Sequence, residues 1–93
     1  MTPIARYTQD PSDELDYTIT WSQWLPDGDT VVAATWTVPA GLTEPQASSL
    51  TTTTTTVWLA GGTAGTDYDV ACRITTAEGR VVERTFRLQV RQR

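Results

Sequence analysis

The residues best suited to chemistry in this 93-residue chain are two pairs of aspartates, each confined to one short turn. Asp27 and Asp29 flank a glycine, and Asp67 and Asp69 flank a tyrosine. Calcium prefers six to eight oxygen ligands, more than two carboxylates supply, and Asp-Gly-Asp is a common turn sequence. We therefore predict no metal site and no cofactor, with a calcium site in these turns as the alternative.

The groups that most enzymes use for acid–base or covalent chemistry are scarce in the sequence. Histidine, the commonest general base, does not occur, and all seven positive charges are arginines. Cys72 is the only cysteine, which excludes an internal disulfide. Because it stands in an alternating apolar run, we predict a buried, unreactive thiol that serves the core. We expect a protein without enzymatic activity.

Charge is distributed unevenly along the chain, whose net charge is −4. Residues 1–69 hold nine acids and one arginine, whereas residues 70–93 hold six arginines and two acids. The acidic part argues against nucleic-acid binding through phosphates, and no apolar run approaches the ~18 residues of a membrane span. The basic part offers Arg87 and Arg91 as candidate interaction residues, or it is simply a solvated strand face.

Apolar and polar residues alternate along most of the chain, which is the pattern of half-buried β-strands. Turn sequences rich in glycine and proline separate the alternating runs. Six consecutive threonines precede Val-Trp-Leu, and we assign 51–59 to a strand because threonine is β-branched; a disordered tract is the alternative. The apolar face of the first two runs comprises Leu15, Tyr17, Ile19, Trp21, Val32, Ala34, Trp36 and Val38.

About seven short strands with no helical repeat favour an all-β, antiparallel sandwich that is immunoglobulin-like or fibronectin type III-like. Residues 1–13 are expected to form an N-terminal arm or edge strand, and residues 14–93 the sandwich. The segment before Tyr68 resembles the entry to the sixth strand of fibronectin type III domains, which implies a corner tyrosine bonded to upstream backbone.

Four tryptophans divide into two expected roles. Trp36 is predicted as the central core tryptophan, and Trp21 as buried beside it. Trp24 follows a strand end, and Trp58 points away from its apolar neighbours, so one of the two is expected to be partly exposed. Exposed tryptophan is a frequent anchor of protein contacts, whereas covering the ends of a small core is the alternative role for both.

Four segments of the chain resemble a family of small phage and prophage proteins known as fiber–tail adaptor or immunoglobulin-like virion proteins. They are residues 16–25, 35–42, 57–68 and 72–80. The resemblance implies a structural protein of the virion at the tail or neck that binds other virion proteins. Association with further copies of the same chain, as a homo-oligomer, is a second expectation. The alternative is a capsid decoration or carbohydrate-binding module. The N-terminus lacks signal-peptide features, so we expect synthesis in the bacterial host cytoplasm.

Overall fold

Alternating side chains direct one face of each strand inward, and the chain forms two facing β-sheets in an all-β sandwich. The computed structural model describes residues 3–92. Within them, no helix is long and apolar enough to cross a bilayer. The strands are β1 (Arg6–Gln9), β2 (Glu14–Thr20), β3 (Val31–Thr37), β4 (Leu42–Thr43), β5 (Ser49–Leu50), β6 (Thr54–Gly61), β7 (Asp67–Thr76) and β8 (Val81–Val90), with one 3₁₀ turn at Ser22–Trp24.

Within the part of the chain that the structure describes, each sheet has edge strands with a neighbour on one side. Sheet 1 has the order β1-β8-β7-β3, and sheet 2 has the order β2-β6-β4, with β5 also pairing with β6. All pairs are antiparallel except that of β1 with β8, which is parallel. The described strands exceed the expected seven by one, because β4 and β5 are separate two-residue strands.

The core lies between the sheets and is centred on Trp21, whose side chain is fully buried. Its indole N–H donates to the hydroxyl of buried Thr55 at 3.0 Å, so the polar edge of the ring is satisfied. The largest apolar side chains buried with it are Phe86, Leu59, Ile74, Leu88, Val57, Val70 and Val90.

The expected inward face of β3 is wrong at Val32. A β-bulge lies between Val31 and Ala33, and an extra residue in one strand shifts the alternation of side chains. Val31 is therefore buried and Val32 is 55% exposed. Trp36 stays inward but is only partly buried against the core, which corrects its assignment as the central tryptophan.

Two further expectations need correction at strand starts. Leu15 was expected on the buried face, yet it is 42% exposed at the beginning of β2. Residues 51–53 precede β6 and do not belong to it, because the Thr51 hydroxyl accepts hydrogen bonds from the N–H groups of Thr53 and Thr54. Such side-chain bonds compete with strand pairing and favour a turn.

Buried Gln9 ties the N-terminal strand to both sheets. Its amide nitrogen donates to the carbonyl oxygens of Asp13 and Leu59, each at 2.9 Å. Its amide oxygen accepts a hydrogen bond from the Tyr17 hydroxyl. Burial, assisted by nearby Asp13, raises the pKa of Tyr17 to about 12, so this phenol remains a donor at neutral pH. The strand β1 thus lies at one edge of sheet 1 with its last residue in the interior.

Candidate interaction surfaces

The first acidic turn is a structural junction. The pKa of Asp29 lies below its ordinary value. Burial by itself would raise this pKa, but hydrogen bonds from Thr76, Arg80 and the backbone stabilise the carboxylate and outweigh the effect of burial. The Arg80 guanidinium donates at 3.0 Å to a carboxylate whose side chain is fully buried. The backbone N–H groups of Thr30 and Glu78 donate to its other oxygen. The carboxylate is therefore committed to contacts within the chain.

The second pair of aspartates neutralises the arginines that were candidates for interaction. Arg87 donates to Asp69 at 3.0 Å, and Arg91 donates to Asp67 at 2.8 Å. Both pairs join β8, or the residue just after it, to β7 on the outer face of sheet 1. The hydrogen bond and the charge of Asp69 raise the pKa of Arg87 further. Both arginines thus already have carboxylate partners in the monomer.

The remaining candidate for chemistry, Cys72, lies fully buried in the core as a free thiol. Burial raises its pKa to about 11, which keeps the sulfur protonated at neutral pH. Its sulfur lies 3.5 Å from the hydroxyl of Thr55. Among residues 3–92, no group of three or more potential metal-binding side chains comes together.

Tyr68 lies at the corner between β6 and β7. Its hydroxyl accepts a hydrogen bond at 2.9 Å from the backbone N–H of Thr63, five residues upstream. Gly62, at φ +91°, packs so closely here that a Cβ would come within 2.8 Å of Val90 and 3.3 Å of the Tyr68 ring. The corner is thus built from a tyrosine and a glycine in a backbone conformation that other residues adopt at a cost.

The two tryptophans proposed as contact residues lie in different settings, and both are partly exposed. Trp24 packs against Trp21, with ring centroids 5.6 Å apart, and the Arg84 guanidinium lies 4.8 Å from the centre of the Trp24 ring. Trp58 lies on the outer face of sheet 2, opposite Asp16 of β2. Its chain neighbours Val57 and Leu59 are fully buried on the other face.

Strand β3 is an open edge that the sequence pattern did not reveal. It has one strand neighbour, β7, and its seven residues carry no charge. Its beginning is covered, because the Val31 N–H donates to the Thr52 carbonyl, and no strand among residues 3–92 pairs with the rest of this edge. Natural proteins usually protect such edges with charge, proline or bulges, and here the bulge affects only the first residues. The absence of charged residues from 30–38 is the feature of the sequence that could have indicated this edge.

A gap in strand pairing lies beside Trp58. Strand β4 pairs with Ala60 and Gly61 of β6, and β5 pairs with Thr55 and Thr56. On that side of β6, residues 57–59 have no strand partner among the described residues. The sequence showed no sign of this gap, because it results from two separate short strands meeting one long strand.

The best-formed pocket is small and lies away from these edges. It has a volume of about 160 Å³ and is lined by Ser22, Leu25, Pro26, Asp27, Gly28, Asp29 and Thr53. Ligand pockets in proteins measure roughly 300–1,000 Å³. The pocket is therefore smaller than those that enclose a typical small-molecule ligand, and the strand edges and outer sheet faces are the candidate sites.

The strand order and the core between the two sheets define a small all-β sandwich. The chain belongs to the podophage GP4 fiber-tail adaptor protein gp77 family, whose model matches residues 9–89. This match covers nearly the whole sandwich and confirms the resemblance to phage fiber–tail adaptors, which places the chain among the structural components of phage tails. A comparison with curated proteins found no match.

Proposed function

We propose that this protein is a non-enzymatic adaptor of the phage tail or neck, which joins other virion proteins and further copies of itself through protein contacts. The observation that carries the proposal is the family match over residues 9–89, because it spans both sheets rather than a single motif. The candidate catalytic groups support it: Asp29 is committed to contacts within the chain and Cys72 is buried.

We also propose that the sandwich is of the immunoglobulin-like or fibronectin type III-like kind. Immunoglobulin constant domains have sheets of strands CFG and ABED. The orders β8-β7-β3 and β2-β6-β4 correspond to GFC and BED, with the first strand placed beside the last. The corner contact of Tyr68 with Thr63 supports the same assignment.

The contact that best suits an adaptor is addition of a partner strand to β3. An edge strand presents backbone N–H and C=O groups that a partner strand can pair with. In β3 the residues Ala33–Thr37 have a regular register, and no charge along the strand opposes an approaching chain. Exposed Val32 adds apolar surface at one end.

The test is complementation of a phage that lacks this gene. Val32→Lys and Thr35→Lys place a charge on the exposed surface of β3, and Thr8→Lys places the same charge on β1 at the opposite edge of sheet 1. We expect all three to fold, and only the β3 variants to give particles without the adaptor and its attached proteins. Normal assembly by both β3 variants would contradict docking at this edge.

Labelling of purified particles with an antibody against this chain tests the location. Label at the tail or neck supports the adaptor. Label spread over the shell would instead favour capsid decoration, and absence from the particle would contradict a virion role altogether.

A further inference from the structure

The outer face of sheet 2 is acidic and carries an aromatic residue near its centre. Asp16 lies directly opposite Trp58, and Glu14 lies opposite Ala60 on the same face. No lysine or arginine occurs between Arg6 and Arg73, so β2, β4, β5 and β6 contain no basic residue. Neither carboxylate forms an ion pair with a described residue.

Trp58 contributes little to the core of its own chain. It lies on the face opposite to buried Val57 and Leu59, and it is outside the hydrophobic cluster that Trp21, Trp24 and Trp36 join. A partly exposed indole on a sheet face gains free energy when a partner covers it. The gap in strand pairing along β6 at residues 57–59 lies beside it, between β4 and β5. The face therefore has an aromatic anchor and a negative charge.

The outer face of sheet 1 carries charges of both signs, and Arg73 is the basic residue near its centre. Arg73 is exposed at its centre, between Thr35 of β3 and Glu83 of β8. None of the ion pairs among residues 3–92 includes Arg73 or Arg6, in contrast to Arg87 and Arg91. The chain already contains one arginine stacked on a tryptophan, Arg84 on Trp24, and such contacts are favourable because the ring face is negative.

We infer that the outer face of sheet 2 binds the outer face of sheet 1 of a second copy, with Arg73 of one copy lying over Trp58 and paired with Asp16 of the other. The two surfaces differ, so the contact is head-to-tail and each copy keeps one free face. Such contacts close into rings or continue as filaments. The inference deepens the self-association in the proposed function and rests on it.

The area of a face is adequate for this contact. The molecule measures 42 by 26 Å along its two longest axes. A sheet face within these dimensions is of the same order as the ~800 Å² that each partner buries in a stable interface. Pairing of Arg73 with Asp16 favours the head-to-tail arrangement, whereas contact between two acidic outer faces of sheet 2 is disfavoured.

Sedimentation analysis of the purified chain over a wide concentration range tests the inference. We expect the average mass to rise above the 10.2 kDa monomer with concentration, and to rise less in high salt, which screens charge. Asp16→Arg and Arg73→Glu should each weaken association by about tenfold or more. Trp58→Ala should weaken it too. Asp27→Arg, the same change in an exposed turn, should leave it unaltered.

Charge exchange makes the test specific. A mixture of Asp16→Arg with Arg73→Glu should recover association, because one junction keeps the native pair and the next has the pair reversed. Circular dichroism tests whether each variant is folded. If Asp16→Arg is unstable, Arg73→Glu still tests the outer face of sheet 1 and Trp58→Ala that of sheet 2. A chain that remains monomeric at every concentration, or associates equally in all variants, would overturn the inference. Neither result affects docking at β3, which is tested on particles.

Discussion

The carboxylate of Asp29 and the guanidinium of Arg80 lie 3.0 Å apart, although 51 residues separate them in the chain. They join the loop before β3 to the turn between β7 and β8. The Asp29 side chain is buried, whereas that of Arg80 is 46% exposed. The carboxylate also accepts the N–H of Glu78 in the same turn, so it fixes this end of the sandwich.

Asp29→Asn should destabilise the fold at pH 7, because the amide loses the charge that Arg80 and the backbone N–H groups stabilise. The pKa of Asp29 in the folded state is lower than its ordinary value of 3.8. Its contribution is thus complete above that value and is lost as pH falls through the folded pKa. Urea unfolding at several pH values should show the wild type and the variant converging below pH 3.8. Asp27→Asn, at an exposed position, is the control and should change the stability at pH 7 by less than about 0.5 kcal/mol.

Gln9→Ala should destabilise the protein by about 2 kcal/mol or more, because it removes the interior side-chain hydrogen bonds made to the Tyr17 hydroxyl and the Leu59 carbonyl. Gln23→Ala makes the same change at an exposed position and should cost less than about 0.5 kcal/mol. Urea denaturation of both variants measures the difference. Equal stability of the two would show that the buried amide network contributes nothing.

Gly62→Ala and Gly65→Ala separate backbone strain from crowding at the tyrosine corner. Both glycines have φ near +90°, and alanine in this region costs roughly 1–2 kcal/mol. At Gly65 a Cβ meets nothing within 4 Å, whereas at Gly62 it meets Val90 at 2.8 Å. Thermal unfolding should therefore show a greater loss for Gly62→Ala. If both variants lose the same stability, packing against Val90 is not the cause.

The Cys72 thiol should resist modification in the native protein, because it is buried and its pKa is raised to about 11. A thiol-specific colorimetric reagent at mildly alkaline pH should react with less than one equivalent until denaturant is added, and then with one. Rapid reaction of the folded chain would mean that the region around Thr55 and Cys72 opens readily to solvent.

Part of this structure follows from local patterns in the chain. The alternation in residues 68–90 predicted the long hairpin of β7 and β8, and the run ending at Trp21 predicted a buried tryptophan at the end of β2. Alternation succeeds because successive side chains of a strand point to opposite faces wherever the strand lies. The family resemblance added the tail-adaptor class, which composition alone does not indicate.

Other features depend on partners far away in the chain. The bulge that turns Val32 outward is set by the register of β3 against β7, and the placement of Trp36 at the side of the core follows from the edge position of β3. The turn at residues 51–53 depends on hydrogen bonds to the Thr51 hydroxyl. Local sequence does not separate this turn from β6, because the same run of β-branched threonines continues into the strand.

By itself the sequence determined an all-β chain, the principal strands, the position of a buried thiol and an uneven distribution of charge. Only the tertiary structure decided which charges remain free. Arg87 and Arg91 meet Asp69 and Asp67 across two strands, whereas Arg73 has no ion pair among residues 3–92. The physical reason is that side-chain orientation is a local property of the strand, while pairing of charges depends on register between strands distant in sequence.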